Sequence, residues 1–153
     1  GSAYAKAQLA AGQRLPHEGT AFISVNDEDK ASAVPIARDL AGIGFSLLAT
    51  HGTAAYLRAH GLEVELVFKV NEGRPHIGDR LLNREIDLVI NTPLGRESFF
   101  DDRTLRRIAT VLCVPCVTPL TGAAATVSAI RALREETLDV RPLQDYHAEP
   151  ART

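Results

Sequence analysis

Two threonines, a histidine and a glycine fall together at Thr50-His51-Gly52-Thr53. The apolar run before them, Phe45-Ser46-Leu47-Leu48-Ala49, reads as a buried strand. The segment after them, Ala54 to His60, reads as a short helix closed by Gly61. Hydroxyls and backbone N–H groups at such a turn suit an anion, because first-turn N–H groups lack intrahelical acceptors and the helix dipole is positive there. The same residues also suit an ordinary helix start, with Thr50 or Thr53 as N-cap and Gly52 shaping the turn. The hexapeptide alone does not decide between the two.

The basic residues narrow the choice. The chain has 14 arginines but only three lysines, Lys6, Lys30 and Lys69, so the positions that keep lysine are informative. Cys113 and Cys116 form a C-x-x-C across the end of a helix and the start of a strand, with no second pair. A redox pair should open a helix and a zinc site needs further ligands, so two reduced structural thiols are the expectation.

The elements that must position these groups follow from the pattern of apolar runs. Strands are expected at 20–25, 45–49, 63–67, 86–90 and 114–118. Helices are expected after each, the first starting near Ser32 so that Pro35 falls in its first turn and Lys30 stays on the loop. Val34, Ala37 and Ala41 would face its core. A short helix spans 76–83, a longer one about 102–112 with Leu105, Ile108 and Ala109 inward, and the last 122–136 with Val127, Ile130 and Leu133 apolar. Five short strands alternating with helices specify an α/β fold, a doubly wound, mainly parallel five-stranded sheet with helices on both faces. Residues 1–18 read as a cloning scar (Gly1-Ser2) and linker, 19–148 as the domain and 149–153 as a tail. At 45% hydrophobic, 24% charged and a formal charge of −2, the composition is globular and gives no electrostatic case for nucleic acid or an anionic membrane. No apolar stretch is long enough to span a bilayer and no signal-peptide pattern opens the chain, so a cytoplasmic protein is expected.

Ligands of open parallel sheets bind beyond the carboxyl ends of the strands. Lys30 follows the first strand, Thr50, His51, Gly52 and Thr53 the second, Lys69 the third, and Asn91 and Thr92 the fourth. Two ammonium groups, two hydroxyls and a helix N-terminus suit a phosphate monoester, and an Asn amide can read a ribose or base. A catalytic base is harder to place. After the third strand come Arg74-Pro75-His76, and after the fourth Thr92-Pro93-Leu94 with nothing ionisable until Arg96. Asp79 reads as a solvated or ion-paired carboxylate, and His51 as either a ligand contact or a cap. No Walker A or G-x-G-x-x-G motif is present.

Asp29-Lys30, Ala49-Thr-His-Gly-Thr-Ala54, Lys69-Val-Asn-Glu-Gly-Arg-Pro-His-Ile77 and Ile90-Asn-Thr92, in this order and spacing, closely resemble the C-terminal domain of the carbamoyl-phosphate synthetase large subunit. The resemblance covers about residues 19 to 148, and Ala3 to Gln8 resembles the end of the preceding synthetase domain. The fold is shared with methylglyoxal synthase and with the cyclohydrolase domain of the bifunctional purine-biosynthesis enzyme.

That resemblance implies a non-catalytic regulatory domain that binds nucleoside monophosphates, UMP as inhibitor and in some relatives IMP as activator. It would control carbamoyl phosphate synthesis for pyrimidines and arginine. The implied effector site is Lys30, Thr50, His51, Gly52, Thr53, Lys69, Asn91 and Thr92, with Lys30, Thr50, Thr53 and Lys69 on the phosphate and Asn91 on the ribose or base. No catalytic residue, metal ligand or cofactor is implied for the domain itself. The parent enzyme would use ATP, magnesium and bicarbonate, and the implied partners are the rest of the large subunit and the small glutamine amidotransferase subunit. Pro93 stands where a relative has a further threonine, and Cys116 where one has the tyrosine of an ornithine site, Thr118 being kept, so ornithine activation is not expected. The catalytic aspartates of methylglyoxal synthase align near Arg74 and Leu94, neither acidic. The alternatives are a free-standing phosphate lyase of that type and a fold kept only for subunit contacts.

Overall fold

A computed structural model describes residues 3, 14–93 and 99–139; Lys6, Leu94, Arg96, His147 and the proposed tail lie outside this set. Five strands, β1 (Thr20–Ser24), β2 (Ser46–Ala49), β3 (Glu65–Leu66), β4 (Leu88–Asn91) and β5 (Cys116–Val117), form one sheet in the order β3-β2-β1-β4-β5. Every pairing is parallel, with Phe22 of β1 opposite Leu48 of β2 on one side and Val89 of β4 on the other. Among the described residues the helices with both ends placed are α1 (Lys30–Gly42), α2 (His51–Ala59), α3 (Ile77–Leu82), α4 (Phe99–Val111) and α5 (Leu120–Asp139).

Because side chains alternate along a strand, β1, β2 and β4 feed two cores. Ala21, Ile23, Leu47, Ala49, Leu88 and Ile90 pack with α1, α2 and α5, and Leu15 joins them from ahead of β1. Phe22, Leu48 and Val89 pack with Ile77 and Leu81 of α3 and Leu105 and Ala109 of α4 on the opposite face. Both faces of the sheet are thus covered. No helix among the described residues is long and apolar enough to cross a membrane.

Three expectations are corrected. A 3₁₀ turn, Asp27–Asp29, leads directly into α1, so Lys30 is the first helical residue and Pro35 lies inside the helix. The fold tolerates this because the carbonyl Pro35 leaves without a donor belongs to exposed Ala31, where water can bond it. Ala41 is exposed, and Ile36 and Leu40 complete the buried face with Val34 and Ala37. The second helix begins at His51 rather than Ala54, with Thr50 at the N-cap position in extended backbone but with no capping bond from its side chain.

Helix ends account for the third correction, the C-x-x-C. α1 and α2 each close with a paired 6→1 and 5→2 hydrogen bond, and the residue in the left-handed conformation is Gly44 (φ +97°) or Gly61 (φ +82°). α4 closes the same way, through Val114 N–H to Ala109 and Cys113 N–H to Thr110, but the left-handed residue is Cys113 at φ +57°. Cys113 is therefore an exposed helix terminator and not a buried thiol. Cys116, in β5, is half-buried against the second core, and burial pushes its thiol pKa up, with the charge of Arg106 only partly opposing. Both cysteines are free.

A side chain in left-handed backbone costs about 1–2 kcal/mol, from which glycine is exempt. Cys113→Gly should therefore raise unfolding stability by about 1 kcal/mol in a urea titration. A loss of stability would show that the thiol makes contacts that outweigh its backbone strain.

Candidate functional site

The sheet order reverses between β1, which is followed by a crossover to β2, and β4, which lies on its other side. Ligand clefts of doubly wound sheets open at the carboxyl side of such a point. Here an open cleft of about 660 Å³ lies there, lined by the loop after β1, the first turn of α2, Lys69 and Glu72 after β3, and Asp101 of α4.

Hydroxyls hold these pieces in place. The N–H of buried Val25, just past the end of β1, donates to Thr53 Oγ1 of α2 at 3.2 Å. Ser24 Oγ and Thr50 Oγ1 share a buried hydrogen bond of 3.1 Å, which uses one of their two O–H protons. Asn26 N–H donates to Thr92 Oγ1 at 2.9 Å, joining the same loop to the end of β4. The Asn26 side chain caps the 3₁₀ turn, accepting from Asp29 N–H at 2.9 Å and donating to the Asp29 carboxylate at 2.8 Å. Pro93 O takes a further bond from Asn26 Nδ2 at 3.3 Å.

The charges of the cleft sit on this frame. Ala54 N–H bonds Thr50 O at 2.7 Å and closes the first turn of α2, so the N–H groups of His51, Gly52 and Thr53 have no intrahelical acceptor. Lys30 Nζ lies over Gly52, where a Cβ would come within 3.2 Å of it. It also bonds the Asp27 carboxylate at 2.5 Å. That bond and the ammonium charge hold the Asp27 carboxyl below its ordinary pKa. Lys69 N–H donates to Glu72 Oε2 at 2.9 Å, and the Lys69 ammonium has no ion-pair partner among the described residues. His51 is exposed in the first turn and lines the cleft without capping the helix.

Six of the eight residues expected from sequence therefore line one cleft: Lys30, Thr50, His51, Gly52, Thr53 and Lys69. Asn91 and Thr92 lie elsewhere. Asn91 is 1% exposed and donates to Asp102 Oδ1 at 3.0 Å. It lines a recess of only about 20 Å³ behind the cleft, floored by Phe22, Val70, Ile77 and Leu105. Thr92 lines neither space, and its hydroxyl serves Asn26. His76 and Asp79 form a reciprocal capping box at the start of α3, through Asp79 N–H to His76 Nδ1 (3.2 Å) and His76 N–H to Asp79 Oδ2 (3.0 Å). Exposed Arg74 stands 3.9 Å from Asp79 and outside the cleft.

The cleft also contains carboxylates that the residue pattern did not single out: Asp27, Glu72 and Asp101. Asp27 and Glu72 each sit three residues from a cleft lysine, a spacing that could have flagged them. Asp101 reaches the cleft only because α4 packs beside β4, which no local pattern encodes.

Replacing Thr53 by valine keeps the shape of the side chain and removes the acceptor for Val25 N–H together with the longer, 3.5 Å bond that Thr53 Oγ1 donates to Val25 O. Leaving that buried donor unpaired should cost about 1–3 kcal/mol of unfolding stability. An unchanged urea midpoint would mean that the clamp does not hold the loop.

A family model described as "MGS-like domain" matches residues 32–118. The carbamoyl phosphate synthase large chain of Nostoc sp. is 49% identical over 146 residues, covering 95% of this chain and 13% of that protein. The carbamoyl phosphate synthase large chain, C-terminal section, of Methanopyrus kandleri is 52% identical over 148 residues, covering 96% of this chain and 27% of that protein. The chain thus spans only a small part of these relatives. Among solved structures, methylglyoxal synthase from Elizabethkingia anophelis NUHP1 superposes with a TM-score of 0.58 at 23% identity, over 74% of this chain and 80% of that one. ForH superposes with a TM-score of 0.53 at 19% identity, over 84% and 93%. At these identities the likeness is one of fold. With a family model across more than half its length and relatives at about half identity along nearly all of it, the chain belongs to the MGS-like domain family.

Proposed function

We propose that this domain is the regulatory module of a carbamoyl phosphate synthase large chain and that its cleft binds a nucleoside monophosphate. UMP is the inhibitor on this reading and IMP a candidate activator. The observation that carries the proposal is the convergence of Lys30, Lys69 and the open first turn of α2 on one cleft, in a chain about half identical to such large chains. The phosphate is held by the two ammonium groups and the N–H groups of His51 to Thr53, an arrangement of charge-assisted hydrogen bonds at a helix N-terminus. With Ser24 as the donor in the Ser24–Thr50 pair, the Thr50 O–H adds a donor to the cleft.

Glu72 and Asp101 make a bare polyanion a poor occupant of the cleft and suit a ligand that carries its charge at one end and hydroxyl donors at the other. A ribose phosphate has that form. Asn91, turned onto Asp102, approaches a base only through the small recess, so on this reading it steadies α4 beside the ligand. Thr92 acts by holding the loop that carries Asp27 and Lys30. ATP-dependent synthesis, with its magnesium and bicarbonate, and docking to the glutamine amidotransferase subunit belong to the rest of the parent protein. The lyase alternative loses support at Arg74, near which a catalytic aspartate of methylglyoxal synthase is expected to align, because Arg74 is cationic and outside the cleft.

Calorimetric titration of the 153-residue chain tests the proposal. Hydrogen bonds to a charged group are worth about 1.5–3 kcal/mol, so Lys69→Ala should weaken UMP binding roughly ten- to a hundredfold. Uridine should bind wild type far more weakly than UMP and lose little more in Lys69→Ala. Equal binding of uridine and UMP by wild type would refute the phosphate site. Turnover of dihydroxyacetone phosphate to methylglyoxal would restore the lyase reading.

A further inference from the structure

The cation that leans on the first turn of α2 already has an anionic partner supplied by the protein. Lys30 has a side chain only 19% exposed, and its ammonium lies between Gly52 and the Asp27 carboxylate. Asp27 itself is 93% exposed on the rim of the cleft. The 3₁₀ turn that carries Asp27 is fixed from below by the Asn26 bonds to Asp29, Thr92 and Pro93. The carboxylate can therefore leave Lys30 by rotating its own side chain, with no change in the loop backbone. Lys69 has no such partner among the described residues, so the two cations of the site are not equivalent.

We infer that Asp27 sets the affinity of this cleft for anions, as an internal anion bonded to Lys30 that an incoming phosphate must displace. The inference rests on the effector-site reading above and assigns that site a built-in competitor. A ligand with one diffuse negative charge gains little by exchanging one carboxylate for another at Lys30. A phosphate monoester can hold Lys69 and the N–H groups of α2 while a second charged oxygen takes Lys30, so it makes the exchange at a gain. Asp27 thereby lowers the affinity of any anion that engages Lys30, by up to the strength of the ion pair that is given up.

The test is a double-mutant cycle on the 153-residue chain, titrated calorimetrically with UMP and with inorganic phosphate. The Lys30 variant is Lys30→Met, which keeps the packed stem. Releasing Lys30 from its exposed ion partner should let Asp27→Asn bind UMP about two- to fivefold more tightly than wild type. In the Lys30→Met background the same substitution should change affinity by less than about twofold, since no partner remains to be released. A folding defect cannot imitate a gain in affinity. UMP binding by wild type with no gain in Asp27→Asn would overturn this inference and leave the effector reading standing. A gain equally large without Lys30 would also overturn it, by showing that Asp27 acts through general repulsion. Failure of wild type and every variant to bind either probe would overturn both.

Discussion

The hydrogen bond from Val25 N–H to Thr53 Oγ1 is the constraint on which the site depends. β1 is the central strand of an all-parallel sheet, and where it ends its backbone donors are still buried and beyond the reach of a neighbouring strand. An unpaired buried N–H is expensive, so the chain must supply an acceptor from elsewhere. It does so from the first turn of α2, with the Ser24–Thr50 pair beside it. Satisfying that donor brings the helix N-terminus up against the loop of β1 and leaves the α2 N–H groups facing outward into the cleft. The threonines expected to hold a ligand thus first hold the protein together, and their hydroxyls reach a ligand only with the capacity that remains.

This dual use explains which parts of the site were readable from the sequence. Thr50, Gly52 and Thr53 mark a strand-to-helix turn, and Lys30 and Lys69 follow strands whose apolar runs are plain, so their placement on one sheet edge followed from topology. The commitments of Asn91 and Thr92 did not. Each is decided by a partner distant in sequence, Asp102 through the packing of α4 and Asn26 through the pairing of β1 with β4. Burial of Asn91 is likewise a property of the assembled sheet.

Element ends were less legible than element interiors for a related reason. β2, β4 and the apolar faces of α4 and α5 are set by side-chain periodicity, which the sequence displays directly. The start of α2 is set by which groups accept from its first N–H groups, and Thr50 fills the N-cap position without using its side chain to cap. The end of α4 shows the converse. Its left-handed residue is a cysteine, so the glycine that marks the same structure at Gly44 and Gly61 is missing. Pro35 misled because the carbonyl it orphans belongs to exposed Ala31, where water removes one part of the cost of a mid-helix proline.

The charge pattern of the cleft bears on how such a domain could regulate. An effector shifts an equilibrium only by the difference in its affinity for two states, whatever its absolute affinity. A cleft of unpaired cations on a rigid frame would bind phosphate tightly in any state and transmit little. Here the loop bearing Asp27 and Lys30 is tied at once to α2 through Thr53 and to β4 through Thr92, while Asn91 ties β4 to α4. A small displacement of any of these elements moves Lys30 or Asp101 relative to Lys69 and α2. On the proposed reading, affinity in this cleft would depend on the relative placement of several elements, which is what coupling it to events elsewhere in a larger protein would require.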